Sequence, residues 1–256
     1  MKVLPEPSLV WRYMLALTQI PRGSNMGDEL WRHIKVRDFL KAEAEKLGCE
    51  TYVDKGENLI VRKAAYPGCE NKPVVCLQCH MDMVVQKDDD VEIDLGKDPL
   101  TPRIVDGKYL MATGTSLGAD DGAGVATAFA ILADKTIKHG PLEVLVTRDE
   151  ETGLYGASDL ETGILKAKTL INVDNEDENA LCIGCAGGYN VEMKLPTVRC
   201  VEEGFVTRQV VLNNFVGGHS GCDIDLGRAN PMHVMGRLLA VAALSPSSLG
   251  AALRLL

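Results

Sequence analysis

The stretch GADDGAGVATAFAILADKTIKHGPLEVLVTRDEE, residues 118–151, decides the fold class. From Gly122 to Asp134 it sets alanines and larger apolar residues at helical spacing, behind a pair of aspartates flanked by glycines. From Leu142 to Val146 it becomes a short apolar run with β-branched residues, bounded by Gly-Pro on one side and by charges on the other, which predicts a buried strand.

Similar runs lie to either side. Leu59 to Val61 and Val74 to Leu77 precede the stretch and Leu170 to Val173 follows it, each bounded by Gly, Pro, Asn or charges. A helix is predicted from Leu30 to Leu47, where Val36, Phe39, Leu40, Ala44 and Leu47 keep helical spacing and Gly48 ends the run. Strands alternating with helices predict an α/β sheet, and in such sheets ligands collect at the carboxyl ends of strands. After Asp174 the pattern changes. Tyr189 to Leu195 and Val206 to Phe215 alternate like strands, and Asn230 to Ala243 reads as a helix with Met232, Val234, Met235 and Leu238 inside. A domain boundary is therefore expected near Gly187 and Gly188, dividing the chain into 1–187 and 188–256.

Composition narrows the function. The 256 residues are 46% hydrophobic, enough for a full core. Against 27 basic residues stand 36 acidic ones, a net charge of -9 that opposes binding to phosphate backbones, so no nucleic-acid partner is expected. The start, Met1 to Val10, lacks an apolar run behind a basic segment, and no stretch approaches a membrane span, so a soluble cytoplasmic protein is expected with no membrane partner. The 8 cysteines fit reduced thiols in that compartment. Cys76-x-x-Cys79 and Cys182-x-x-Cys185 together also have the composition of a four-thiolate zinc site, although about a hundred residues separate the pairs and Cys76 falls in a predicted buried strand.

Four segments in sequence deliver metal-binding chemistry. In LQCHMDMV, His80 and Asp82 follow a predicted strand two residues apart, so both leave the same face; one can bind a cation while the other orients it, or both can simply decorate a strand end. In GADDGAGVA, Asp120 or Asp121 can bridge two cations or cap the helix that follows. In TRDEETG, Asp149, Glu150 and Glu151 crowd a strand end; with a cation present one glutamate can coordinate while the other takes a proton from water. INVDNED sets Asp174 directly after the last strand. Imidazole and carboxylates without thiolate suit a hydrolytic pair of zinc, manganese or cobalt ions. A fifth feature, NFVGGHSGCDI, holds His219 among Gly217, Gly218 and Gly221, where it can reach a substrate oxygen. His33, His139 and His233 lie in ordinary helix and loop settings.

In this order and spacing, HMDMV, GADDGAGVA, DEETG, NVDNE and GGHSGCDI, with GCAGG at 184–188, resemble the M20 metallopeptidases, and within them most nearly the aminoacyl-histidine dipeptidases. The resemblance runs to about Arg237. It implies a zinc-peptidase-like mixed sheet flanked by helices in 1–187 and the start of an inserted α+β lid domain in 188–256, which in the full-length protein forms a homodimer interface. It implies two Zn2+, with Mn2+ or Co2+ as substitutes: His80 and Asp174 as ligands of one ion, Glu151 of the other, and Asp120 as the bridge. Glu150 becomes the general base, Asp82 the residue that orients His80, and His219 the group that polarises the scissile carbonyl. The expected reaction is hydrolysis of a small peptide, a dipeptide ending in histidine; the alternatives are an M20-type deacylase or tripeptidase, or an inactive fragment. Members of the family continue past the lid and supply a last zinc-binding histidine, which has no counterpart before Leu256, so the resemblance implies a C-terminally truncated chain.

Overall fold

A computed structural model describes residues 4–24, 31–175, 179–185, 187, 189, 191–194, 196, 204, 209–218 and 223–244. It forms two compact units, Met1–Ala180 and Leu181–Leu256.

The first unit is built from α1 (Ser8–Leu17), α2 (Trp31–Lys46), β1 (Glu50–Val53), β2 (Leu59–Lys63), β3 (Val75–His80), β4 (Pro102–Val105), β5 (Tyr109–Ala112), α3 (Ala119–Ala133), β6 (Leu142–Thr147), α4 (Tyr155–Ser158) and β7 (Thr169–Asn172). Five strands make one mixed sheet in the order β1-β2-β6-β3-β7. β3 runs parallel to both β6 and β7, while β2 pairs antiparallel with β6 and with β1.

Strand alternation sorts the two faces of this sheet. Leu59 and Val61, Leu77 and Cys79, and Val144 and Val146 point to one side, where they join Tyr13, Met14 and Leu17 of α1, Val36, Leu40 and Ala44 of α2, and Val125, Ala128, Phe129 and Leu132 of α3. The intervening Ile60, Cys76 and Leu145 point to the other side and meet Leu160, Ile164, Leu165 and Ala167. Cys76 and Cys79 thus face opposite sides of the sheet, so they cannot share an ion, and the four-thiolate reading fails. The Ala-rich sequence of α3 allows it to lie close to the sheet, and its one large ring, Phe129, meets Tyr13 edge-on at 5.7 Å.

Helix and strand bounds fall within a few residues of those read from the sequence. The regular turns of α3 begin at Gly122 as expected, because Asp120 and Asp121 keep non-helical dihedrals. The β4–β5 hairpin was not anticipated; its turn uses Asp106 and Gly107, both at positive φ, which suits tight hairpins.

In the second unit α5 (Pro231–Leu244) starts at Asn230, whose side-chain oxygen accepts the N–H groups of Met232 and His233, with Pro231 at the first helical position. The expected strands Tyr189–Leu195 and Val206–Phe215 lie partly outside the described residues, and those of their residues that are described form no strand. The division between the units falls a few residues before the expected 187/188 boundary.

Replacing Phe129, wholly buried between α1 and the sheet, removes the largest apolar side chain of that layer. Phe129→Ala should cost about 3–5 kcal/mol in urea unfolding, whereas Ile104→Ala on the exposed hairpin should stay within about 0.5 kcal/mol.

Candidate metal centre

The order β6-β3-β7 places a topological switch point at the centre of the sheet: the chain leaves β3, returns on one side as β6 and then crosses to the other side as β7. Loops from neighbouring strands diverge there and leave a crevice at their carboxyl ends. His80 is the last residue of β3, Glu150 and Glu151 follow β6, and Asp174 follows β7, so three sequence-predicted segments reach the same crevice. Asp120 enters from the start of α3.

His80 is fully buried. Its Nδ1 lies 3.2 Å from Asp82 Oδ1, its Nε2 2.8 Å from Asp120 Oδ1 and 3.6 Å from Asp174 Oδ2. Asp82 does not face the crevice as a ligand. Besides His80 it accepts Ser24 Oγ at 2.6 Å, the Glu150 N–H at 3.1 Å and the Glu151 N–H at 3.4 Å, and so joins the imidazole to the β6 turn. The adjacent aspartates take different partners. Asp121 is buried and accepts the N–H groups of His80 and Gly124, the second being a cap of α3, while Asp120 turns to the imidazole. Glu151 accepts the Val84 N–H at 3.3 Å.

Ligand-type atoms of His80, Asp120 and Glu151 lie within 4.8 Å of one another, as do those of His80, Asp121 and Asp174. Burial raises Asp174 to about 6, with His80 opposing and Asp120 adding to the rise. Burial raises Glu151, helped by the charge of Asp120, and carries Asp121 up to about 8 with help from Asp174. Burial would lower His80, but hydrogen bonds to Asp120 and Asp82 and the charges of Asp82 and Asp121 outweigh it and take the imidazole up to about 11. These opposed shifts describe anions held together with a proton between them. A cation of zinc type fits this set: one imidazole whose second nitrogen is held by a carboxylate, and oxygen donors converging around the first. Beside Glu150 and Asp174 a cavity of about 260 Å³ opens between β3, β6 and β7.

His219 lies outside the described residues. Sequence reasoning missed Arg22 and Ser24, which hold the loop after β3, and Asn58, which donates to Gly156 O and accepts the Arg148 N–H and so fixes the β6 turn from below. Only the pairing of Gly23 with Met83 brings the first two into place, and no spacing within 21–24 signals it.

A buried imidazole ringed by carboxylates at the switch point of a mixed α/β sheet defines a candidate metal centre of hydrolytic type. Residues 76–244 match the model of peptidase family M20/M25/M40, and the chain belongs to that family. It is 40% identical over 236 residues to the cytosol non-specific dipeptidase of Escherichia coli (strain K12), covering 92% of this chain and 47% of that protein. It superposes on the crystal structure of aminoacylhistidine dipeptidase from Vibrio alginolyticus with a TM-score of 0.66 and 38% identity, over 93% of this chain and 48% of that one. A tripeptidase from Staphylococcus aureus subsp. aureus Mu50 is similar at a TM-score of 0.54 and 25% identity, over 68% of this chain and 44% of that one. The chain thus spans about half the length of the relatives it matches. No helix among the described residues is long and apolar enough to cross a membrane.

A cation can take the His80 nitrogen only after its proton leaves. Zinc uptake at pH 7 should therefore release about one proton per site, read with an indicator dye in weak buffer. His80→Ala should abolish that release and weaken uptake at least ~10-fold.

Proposed function

We propose that this chain carries the two-metal half-site of a cytoplasmic dipeptidase, with Zn2+ as the resident ion and dipeptides of the Xaa-His type as substrates. The observation that carries the reading is the gathering of Asp120 and Glu151, and of Asp121 and Asp174, about His80 where three parallel strands end and α3 begins, with Asp82 behind the imidazole. In this reading His80 and Asp174 would hold one ion and Glu151 the other, with Asp120 shared between them. The ions supply Lewis-acid chemistry, making bound water more acidic and polarising the peptide carbonyl.

The remaining work falls to the protein. Glu150 lies next to Glu151 in the β6 turn and lines the cavity with Asp174, where it can take the proton of the attacking water and return it to the leaving amine. Asp82 fixes the imidazole through Nδ1, so that Nε2 faces the carboxylates, and through two backbone N–H groups it holds the turn that carries Glu150. His219, which lies outside the described residues, keeps the role the resemblance implies for it, polarising the scissile carbonyl. The name of the Escherichia coli relative supports both the dipeptide substrate and the cytosolic location. The tripeptidase and Peptidase T similarities favour a second reading, in which the same centre acts on a tripeptide.

Glu150→Ala should lower hydrolysis of a dipeptide ending in histidine by about 10²–10⁴-fold while zinc content stays at the parent level. Full turnover in this variant, or loss of zinc, would remove Glu150 from the base role. A panel of Xaa-His, other dipeptides and tripeptides separates the two substrate readings by kcat/KM.

A further inference from the structure

Arg22 is among the largest fully buried side chains of the molecule, yet it belongs to no apolar layer. It sits just after α1, in a segment that pairs with the loop beyond β3 through Gly23 and Met83. Its Nη1 donates to Met81 O at 3.1 Å and Asp82 O at 2.8 Å, and its Nη2 donates to Gly118 O. One guanidinium therefore ties together the two loops that present His80 with Asp82 and Asp120 with Asp121. Burial lowers Arg22 to about 10, against the charges of Asp82, Asp121, Asp120 and Glu151, so it remains a cation at neutral pH.

The neighbouring glycines are shaped around this contact. A Cβ on Gly118, which also has a positive φ, or on Gly122 would lie 2.6 Å from Nη2. The segment that presents Asp120 thus gives up two side chains around the guanidinium, which reaches the Gly118 carbonyl there. Three carbonyls in two directions suit the planar fork of arginine; the single ammonium of lysine lacks that geometry.

We propose that Arg22 is a positioning residue of the metal centre, a buried clamp that sets the distance between the His80 loop and the Asp120 loop and thereby the metal affinity. This rests on the metal reading of the site above. The sign of its effect is diagnostic. As a mere positive charge beside the carboxylates, Arg22 opposes a bound cation, and its removal would tighten binding. As a clamp it assembles the ligands, and its removal weakens binding even when charge is kept.

The test is Co2+ titration of the whole 256-residue chain, read by the visible d–d absorption, in the parent, Arg22→Met, Arg22→Lys, Gly122→Ala, Leu40→Ala and His80→Ala. Arg22→Met and Arg22→Lys should each raise the Co2+ Kd by about 10–100-fold, the range found for residues that orient metal ligands, and should alter the band envelope. Gly122→Ala, which keeps Arg22 but crowds its Nη2, should do the same in smaller measure and keeps the test open if Arg22→Met does not fold. Leu40→Ala, a core truncation under α2, should lower the melting temperature without moving the Co2+ Kd by more than about twofold. The clamp is overturned if Arg22→Lys binds Co2+ with the parent's Kd and spectrum, if Arg22→Met binds it as tightly as the parent or more so, or if Leu40→Ala weakens binding as much as the Arg22 variants. His80→Ala separates the two claims. If it binds Co2+ like the parent, or the parent binds none, the metal reading fails and the clamp with it. If His80→Ala loses Co2+ while the Arg22 variants do not, only the clamp fails.

Discussion

The functional end of the first unit depends on one buried carboxylate. Asp82 takes hydrogen bonds from three directions: the His80 imidazole at the end of β3, Ser24 from the segment after α1, and the Glu150 and Glu151 N–H groups from the turn beyond β6. An ionised carboxylate removed from water is tolerable only when its lone pairs are filled, and bonds to charged groups contribute about 1.5–3 kcal/mol each. The burial that would raise Asp82 is outweighed by these bonds, chiefly those from His80 and Ser24, and its carboxyl is held below the ordinary range. Because the same oxygens hold the imidazole and the β6 turn, the ligand and the neighbouring glutamates share one reference point.

Around this point the charges do not cancel pairwise. Asp120, Asp121, Glu151 and Asp174 face one imidazole from the front, and Arg22 lies behind them with its donors spent on carbonyls. Such a cluster holds together because each anion is tied to something rigid: Asp121 to backbone N–H groups of β3 and α3, Glu151 to Val84. Burial, with the charges of neighbouring carboxylates adding to it, raises Asp121, Glu151 and Asp174.

What could be read from the sequence was what repeats locally. The runs at 59–61, 74–77, 142–146 and 170–173 announce strands because their apolar content is dense and bounded, and the polar residues directly after them fall at carboxyl ends by the geometry of any α/β sheet. The position of the crevice followed from the fold for that reason, and there His80 lies with Asp120 and Glu151 in one group and with Asp121 and Asp174 in another. Arg22, Ser24 and Asn58 escaped because their partners are remote in sequence, such as Asp82 and Gly118 for the first two and Gly156 for the third, and nothing in 21–24 or near 58 has a period. β1 (ETYV) escaped because polar residues occupy half its positions, and β4 (PRIV) because a proline and an arginine occupy half of its, and each depends on an antiparallel partner; the Asp106-Gly107 turn was the available signal for the second. Cys76 and Cys79 mislead in the opposite way, since a spacing of three on a strand separates faces where on a loop it would join them.

Asp120 and Asp121 show where such reading reaches its physical bound. Two identical side chains stand side by side, and composition assigns them the same chemistry. Their environments differ: Asp121 is 2% exposed and surrounded by N–H groups, while the Asp120 side chain is 45% exposed and faces an imidazole. Asp121 accepts one backbone N–H on each oxygen, whereas Asp120 turns an oxygen to a titratable ring. The different settings of the two carboxylates are therefore decided by which backbone amides the fold leaves for them, and the Gly124 amide of α3 is claimed by Asp121 because regular helix begins one residue beyond it.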